Sequence, residues 1–477
     1  MLTFMLGDFR TELKKVGRLA LLDSVGDKAL AYFAALDPRD LTDTALTRQA
    51  KALTQIGETR MDEARYADAA AAFATAYARA AALAARHPRD GDMLFERAQA
   101  EYWLGFVARK RGDFATGRAW YTRYRDSAVA LVVAEGETFR AQRERTSGYH
   151  NLAVLDLEDR NLGSAKNGFL AEKASMEGML AAKPGDTQLQ FRLADIASWL
   201  GTVAERNGAY PEALKDFAEM SSRLEALATT EPNQARLHSK LADSRIFRGD
   251  VLALMGRRTE AVALYADAKA LLDRLTAQDI ANRQWQVSAL NARLQLANVL
   301  LADTDAQSAA PILAETHHKL ELFVEAEPSS PLFTRRLASA WRLEARRRIA
   351  TGQRDAGEAV AQAVKLGETL LKEAQNDDWA AWEFAQGNIL AGRIANDQNR
   401  PDVATRHWSR ALEVLLPRAT NSHDWRLLDP AAQALVLLGR TAEAQPLIAR
   451  LRKFGYHPLD PSAASIFDAA STKNQQP

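Results

Sequence analysis

The densest grouping of one reactive side-chain type in the chain is a run of guanidinium groups. Arg335, Arg336, Arg342, Arg346, Arg347 and Arg348 all fall within FTRRLASAWRLEARRRIATGQR. Arginine grips carboxylates and phosphates bidentately. Arg342 and Arg346 stand one helical turn apart, so they can share one such anion. Glu344 and Glu358 lie close in sequence, and the segment reads equally as a solvated helix face. Patterns for catalysis are missing. The eight histidines are scattered; His317 and His318 are adjacent, so on a helix they project about 100° apart and cannot chelate. His150 suits acid–base work, but spacing places no nucleophile or carboxylate beside it. No GxSxG, HExxH or GxxxxGK[ST] pattern occurs. GDFATGRAW has two glycines at Walker-like spacing, yet it lacks the lysine and sits between helices. Cysteine is absent, which removes disulfides, zinc-finger spacing and a thiol nucleophile. The expectation is a chain that is not an enzyme and uses no cofactor or metal.

The elements that must position these residues repeat. Stepping by 48 residues gives Gly57, Gly105, Ala153, Gly201, Gly249, Ala297 and Ala345. Twelve residues further stand Ala69, Gly117, Ala165, Ala213, Ala261, Ala309 and Gly357, and four beyond those Phe73, Tyr121, Phe169, Phe217, Tyr265, Leu313 and Ala361. Two more units follow with altered spacing, around Gly392, Ala404 and Trp408 and around Ala432, Ala444 and Ile448. Small residues let two helix backbones approach closely, and an aromatic one turn past the second small residue lies on the same helix face. Pro88, Pro184, Pro232 and Pro328 end second helices in phase with the repeat. A single helix pair buries only one face, so pairs must stack to build a continuous core.

The small–small–aromatic–Pro pattern resembles the tetratricopeptide repeat over roughly residues 41–455, as about nine helix pairs. It is similar in particular to long-repeat bacterial members, because the usual period is about 34 residues. The resemblance implies an all-α, right-handed α-solenoid of stacked antiparallel helix pairs. Ile56, Leu104, Leu152, Leu200 and Leu296 supply the apolar residue before the small position, whereas Arg248 and Glu344 break it; looser fifth and seventh pairs are therefore expected. In this family the first helices line a concave groove. Carried over, the lining positions include Tyr102, Phe106, Arg109 and His150, then Asp195, Thr202, Asp243 and Asp250. Asn291, Asn298, Arg342 and Arg346 complete the row. Asn291 and Asn298 face the same way on a helix, and in such a groove they can hold an extended peptide's backbone or stand as plain exposed polar residues.

The implied function is a protein–protein interaction scaffold or sensor module that holds a peptide segment or helix of a partner in its groove, within a bacterial signalling or multi-domain system. The alternative is a ligand-responsive regulator in which a small molecule or short peptide changes the curvature. A net charge of +1 with 26% charged residues argues against general nucleic-acid binding. No apolar run is long enough to span a membrane, and the opening MLTFMLGDFR is too short and too interrupted for a signal peptide, so a cytoplasmic location is expected. Residues 1–40 read as amino-terminal capping helices or as a hinge to a domain partner on the amino-terminal side. Residues 456–477 read as an irregular carboxy-terminal tail, with Pro458 and Pro461 stopping the last helix.

Overall fold

The computed structural model describes residues 28–472 except residues 29, 34, 63, 64, 281 and 329. Among these the regular structure is helical, without a strand. The helices expected over residues 1–40 fall largely outside the described residues, and that stretch ends in a 3-10 turn, Pro38–Asp40. Two compact units divide the chain, Met1–Asp186 and Thr187–Pro477.

Among the described residues the first unit holds three pairs: α1 (Asp43–Asp62) with α2 (Tyr66–Arg86), α3 (Gly91–Lys110) with α4 (Phe114–Glu135), and α5 (Phe139–Glu158) with α6 (Leu162–Ala182). The second holds six pairs and a last helix. Its first helices are α7 (Thr187–Arg206), α9 (Ala235–Leu254), α11 (Arg283–Ala302), α13 (Pro331–Ala350), α15 (Asp378–Asp397) and α17 (Trp425–Leu437). Their partners are α8 (Tyr210–Thr230), α10 (Arg258–Gln278), α12 (Ala306–Ala326), α14 (Ala356–Glu373), α16 (Pro401–Ala419) and α18 (Thr441–Lys453); α19 (Pro461–Thr472) follows. Each helix packs on the next within its unit, as a solenoid requires.

Close approach inside a pair explains the small residues. A methyl added at Gly201 on α7 would lie 2.6 Å from Cε1 of Phe217 on α8, and one at Gly249 would lie 2.7 Å from Cε1 of Tyr265. The ring occupies the volume that a Cβ would need. In the sixth pair Ala297 replaces glycine, and its core partner is the narrower Leu313. In the third pair Ala153 is kept beside Phe169, and relief moves to the facing helix, where a methyl at Gly168 would meet Ala153 Cβ at 2.7 Å. Arg248 and Glu344 are half-buried, and Glu344 pairs with Arg347 and Arg348 at 2.7 Å, so the polar breaks sit at the edge of the core. The fifth pair keeps its Gly249–Tyr265 contact. In the seventh pair the second helix is out of the expected register. It starts at Ala356, 50 rather than 48 residues after Ala306. Gly357 and Ala361 therefore face outward, while Ala359 and Ala363 are buried.

The turn between the two helices of a pair repeats at the same interval through a feature that composition conceals. Gly112, Arg160, Gly208, Gly256, Thr304 and Gly352 all have positive φ, between 62° and 74°. That left-handed residue ends the first helix and lets the next amide bond back to it, as Asp305 N does to Leu300 O at 2.9 Å. The expected irregular tail is corrected: Pro461 opens α19 instead of only stopping its predecessor, because proline is well suited to a first helical turn. Ala463 and Phe467 of α19 are buried.

Candidate functional site

The inner face of the second unit is built by its first helices, and residues 457–460 close it. His457 N donates to Leu254 O at 2.7 Å. Arg258 Nη2 donates to Pro458 O at 3.0 Å and Arg346 Nη2 to Leu459 O at 2.6 Å. Asp460 pairs with Arg393 at 3.3 Å. On the neighbouring side Trp425 Nε1 donates to Glu205 Oε1 at 3.2 Å, and the His423 ring bonds Asn207 Oδ1 at 2.9 Å. Tyr210 and Phe217 share one apolar core with Leu427, Leu428, Leu447 and Phe467. The first and last pairs of this unit are thus packed together.

Closure leaves a cavity of about 220 Å³ to which α7, α9, α11, α13, α15 and α17 all contribute, with Tyr265 of α10 and Leu459 at its margin. Its charges are mostly matched. Arg342 Nε donates to Glu383 Oε2 at 3.2 Å and lies over the Trp382 ring at 4.4 Å; Ser339 also donates to Glu383. Arg426 pairs with the buried Asp424 and lies 4.6 Å from the Trp379 ring. Asp250 Oδ1 accepts from Tyr265 Oη at 2.6 Å. Burial pushes the Asp250 carboxyl up to about 7, the nearby Glu205 adds to this, and the Tyr265 hydrogen bond and Arg336 oppose it. Glu205 is likewise raised by burial. Arg335 and Arg336 differ from the other cations: the Nε of each has no hydrogen-bond partner, and no carboxylate lies within ion-pair distance of either among the described residues. Burial, helped by the like charge of Arg335, brings Arg336 down to about 9, against the pull of Glu383 and Asp250.

The structure distributes the expected groove residues unevenly. Thr202, Asp250, Asn291, Asn298 and Arg342 line this cavity. Arg346 adjoins it through Asn298, whose Oδ1 accepts from Arg346 Nη1 at 2.6 Å. The shared anion site expected of Arg342 and Arg346 is not free, since both are committed to internal partners. Nor is this helix face solvated there, for Arg342 is 5% exposed. Asn291 and Asn298 do face one space, and Asn291 Oδ1 has no partner. Asp195 and Asp243 lie outside the cavity lining: Asp195 stands 3.9 Å from Lys240, and burial raises Asp243 to about 6. The remaining four belong to the first unit. There Tyr102 stacks on Phe106 with centroids 5.9 Å apart, Arg109 lies 5.2 Å from the Phe106 centroid, and His150 Nδ1 meets Glu172 Oε2 at 2.9 Å.

Trp379, Trp382 and Glu383 are missing from the expected groove row, and Arg335 and Arg336 are read only as part of the arginine run, for a geometrical reason. The family's lining offsets describe shorter helices. Here α13 and α15 extend at least a turn further toward their amino-terminal ends, and these residues occupy that added length. The repeat step carries the signal, because Arg335 and Arg336 stand as far before Ala345 as Trp382 and Glu383 stand before Gly392.

Among the described residues no helix is long and apolar enough to cross a membrane, and no group of three or more acidic, His or Cys side chains is placed to hold a metal. Helices packed in successive antiparallel pairs, a glycine-on-ring contact inside several pairs and, in the second unit, an inner face built of first helices make each unit an α-solenoid. No protein-family profile and no curated protein sequence matches it. Solved structures are similar to it at low identity. The apo quorum sensor NprR from B. thuringiensis matches with TM-score 0.49 and 14% identity over 85% of this chain and 98% of its own. A Rap protein complexed with competence and sporulation factor matches with 0.43 and 13% over 83% and 99%. The STAND protein with a tetratricopeptide repeat sensor, PH0952 from Pyrococcus horikoshii, matches with 0.44 and 14% over 78% and 54%.

Proposed function

We propose that the chain is a non-catalytic binding module that works as a sensor. The second unit takes a small ligand into its inner cavity, and occupancy sets how firmly the carboxy-terminal segment closes over the inner helices. The observation that carries this reading is the filling of the concave side by the chain itself. The carbonyls of Pro458 and Leu459 take up guanidinium donors that an extended partner would need, and what remains is an enclosed space of metabolite size. A ligand shifts such a closure only by interacting differently with its closed and open forms. The convergence of six inner helices on one cavity supplies that difference, because opening separates the groups that contact the ligand.

A specific observation favours a second role for the first unit. Tyr102 and Phe106 form a half-buried aromatic surface flanked by Arg109 on α3. Aromatic and arginine residues dominate binding hot spots, so a peptide or helix of a protein partner, or a domain attached amino-terminally, docks there in this reading. Native mass spectrometry of the chain purified from its own host, with hydrogen exchange read at residues 457–460, tests the main proposal. A co-purifying small molecule whose removal speeds exchange at these residues is the expected result. A ligand-free chain that captures a protein, and loses it with Tyr102→Ala and Phe106→Ala, would replace ligand sensing with partner binding.

A further inference from the structure

We propose that the cavity of the second unit is an oxyanion site, taking a small carboxylate or phosphate compound between the guanidinium groups of Arg335 and Arg336. This rests on the ligand-sensing reading and names its chemistry. Every other charged group just described has a partner: Arg342 has Glu383, Arg426 has Asp424, Asp250 holds the Tyr265 hydroxyl and Glu205 the Trp425 indole N–H. An unpaired charge deep in a protein is costly, and two of one sign on adjacent residues compound the cost. The cost falls when a negative charge enters from outside. A cation has the weaker claim on the cavity, because its lining carries Arg206, Arg335, Arg336, Arg342 and Arg426 against Glu205, Asp250 and Glu383.

The unpartnered polar atoms agree. Trp382 Nε1 is a buried donor with no protein partner, as are Nε of Arg335 and of Arg336, whereas Asn291 Oδ1 is the one such acceptor among the lining residues. Among the lining residues, donors left without a protein partner thus outnumber such acceptors three to one. Arg335 lies 5.7 Å from the Trp379 centroid, an aromatic contact that limits its freedom. Arg336 is half-buried and lines the cavity, as a ligand-facing group must.

The test uses the full chain. Tryptophan fluorescence and thermal unfolding are followed during titration with inorganic phosphate and, separately, succinate, with choline as the cationic control. The expected result is a saturable response and a raised melting temperature with at least one oxyanion and none with choline; the stronger of the two distinguishes phosphate from carboxylate chemistry. Arg335→Gln with Arg336→Gln should weaken that response at least tenfold, whereas Arg347→Gln, which breaks a pair with Glu344 outside the cavity, should leave it intact. Arg336→Met should raise the melting temperature of the ligand-free chain while removing the response to oxyanion, a combination that a merely structural arginine would not give. No saturable response from folded wild type, a response kept by the double variant, or a lower melting temperature for Arg336→Met with the response retained would each overturn the proposal. A co-purified molecule with neither carboxylate nor phosphate would overturn the oxyanion chemistry and leave ligand sensing standing.

Discussion

At residue scale the pair contact sets a sharp size rule. Gly201→Leu should cost roughly 1–3 kcal/mol through overpacking against Phe217, and Phe217→Ala about 3–5 kcal/mol through a cavity, both read by urea unfolding. Because Ala297 with Leu313 is a working version of the same contact, Gly201→Ala combined with Phe217→Leu should be milder than the sum of its single changes. Additive costs would mean that the ring and the small residue are not coupled. Titration supplies a second prediction. Burial raises Asp250 and Asp429 to about 7 and Asp243 to about 6. An acid whose folded pKa exceeds its unfolded value of about 4 stabilises fully below that value and loses the contribution as pH climbs through the folded one. The second unit should therefore melt higher at pH 5 than at pH 8, with Asp250→Asn and Asp429→Asn flattening the difference. A melting temperature independent of these changes would show that the carboxyls stay ionised when buried. The small and aromatic columns were legible at this scale because a local contact repeats at fixed spacing. The partner of Arg342 was not, since Glu383 lies one helix pair later and no motif links the two.

At element scale the turns and the last helix are the informative parts. Thr304 holds a left-handed φ of 63° that a β-branched residue adopts poorly. Thr304→Gly should stabilise by about 1 kcal/mol, measured by equilibrium unfolding; a destabilised variant would mean that the threonine side chain offsets its backbone strain. Arg160 and Thr304 also explain why the turn period was hidden: the conformation repeats faithfully while the glycine that usually announces it does not. Removal of residues 456–477 takes away the buried Tyr456 and Phe467. The second unit should lose at least about 3–5 kcal/mol, the usual cost of truncating one buried aromatic, and exchange should quicken from Leu254 to Arg258. Unchanged exchange there would make the closing contacts incidental. This segment read as a tail because its two prolines look like stops; that one of them starts a helix depends on the core already waiting for Phe467.

At the scale of the whole second unit, solenoids ordinarily unfold piecemeal, since each repeat touches only its neighbours. Here contacts such as Trp425 with Glu205 and Arg258 with the Pro458 carbonyl bind the first pairs to the last. Exchange protection of α7 and α17 should fall together at one denaturant concentration; α7 opening well before α17 would mark the unit as an ordinary open array. Such closure is invisible to a repeat pattern, which describes neighbours and says nothing about what the ends do.

That same joining of ends has a consequence for how the protein is made. Chains emerge from the ribosome amino-terminus first, and domains fold as units during synthesis. The apolar surface of α7, α8 and α9 meets its final cover only when Leu427 to Phe467 have been translated, more than two hundred residues after Tyr210. Until then the nascent chain presents that surface uncovered, so the codons from Leu427 to Phe467 decide whether the preceding helices are sheltered or left to chaperones.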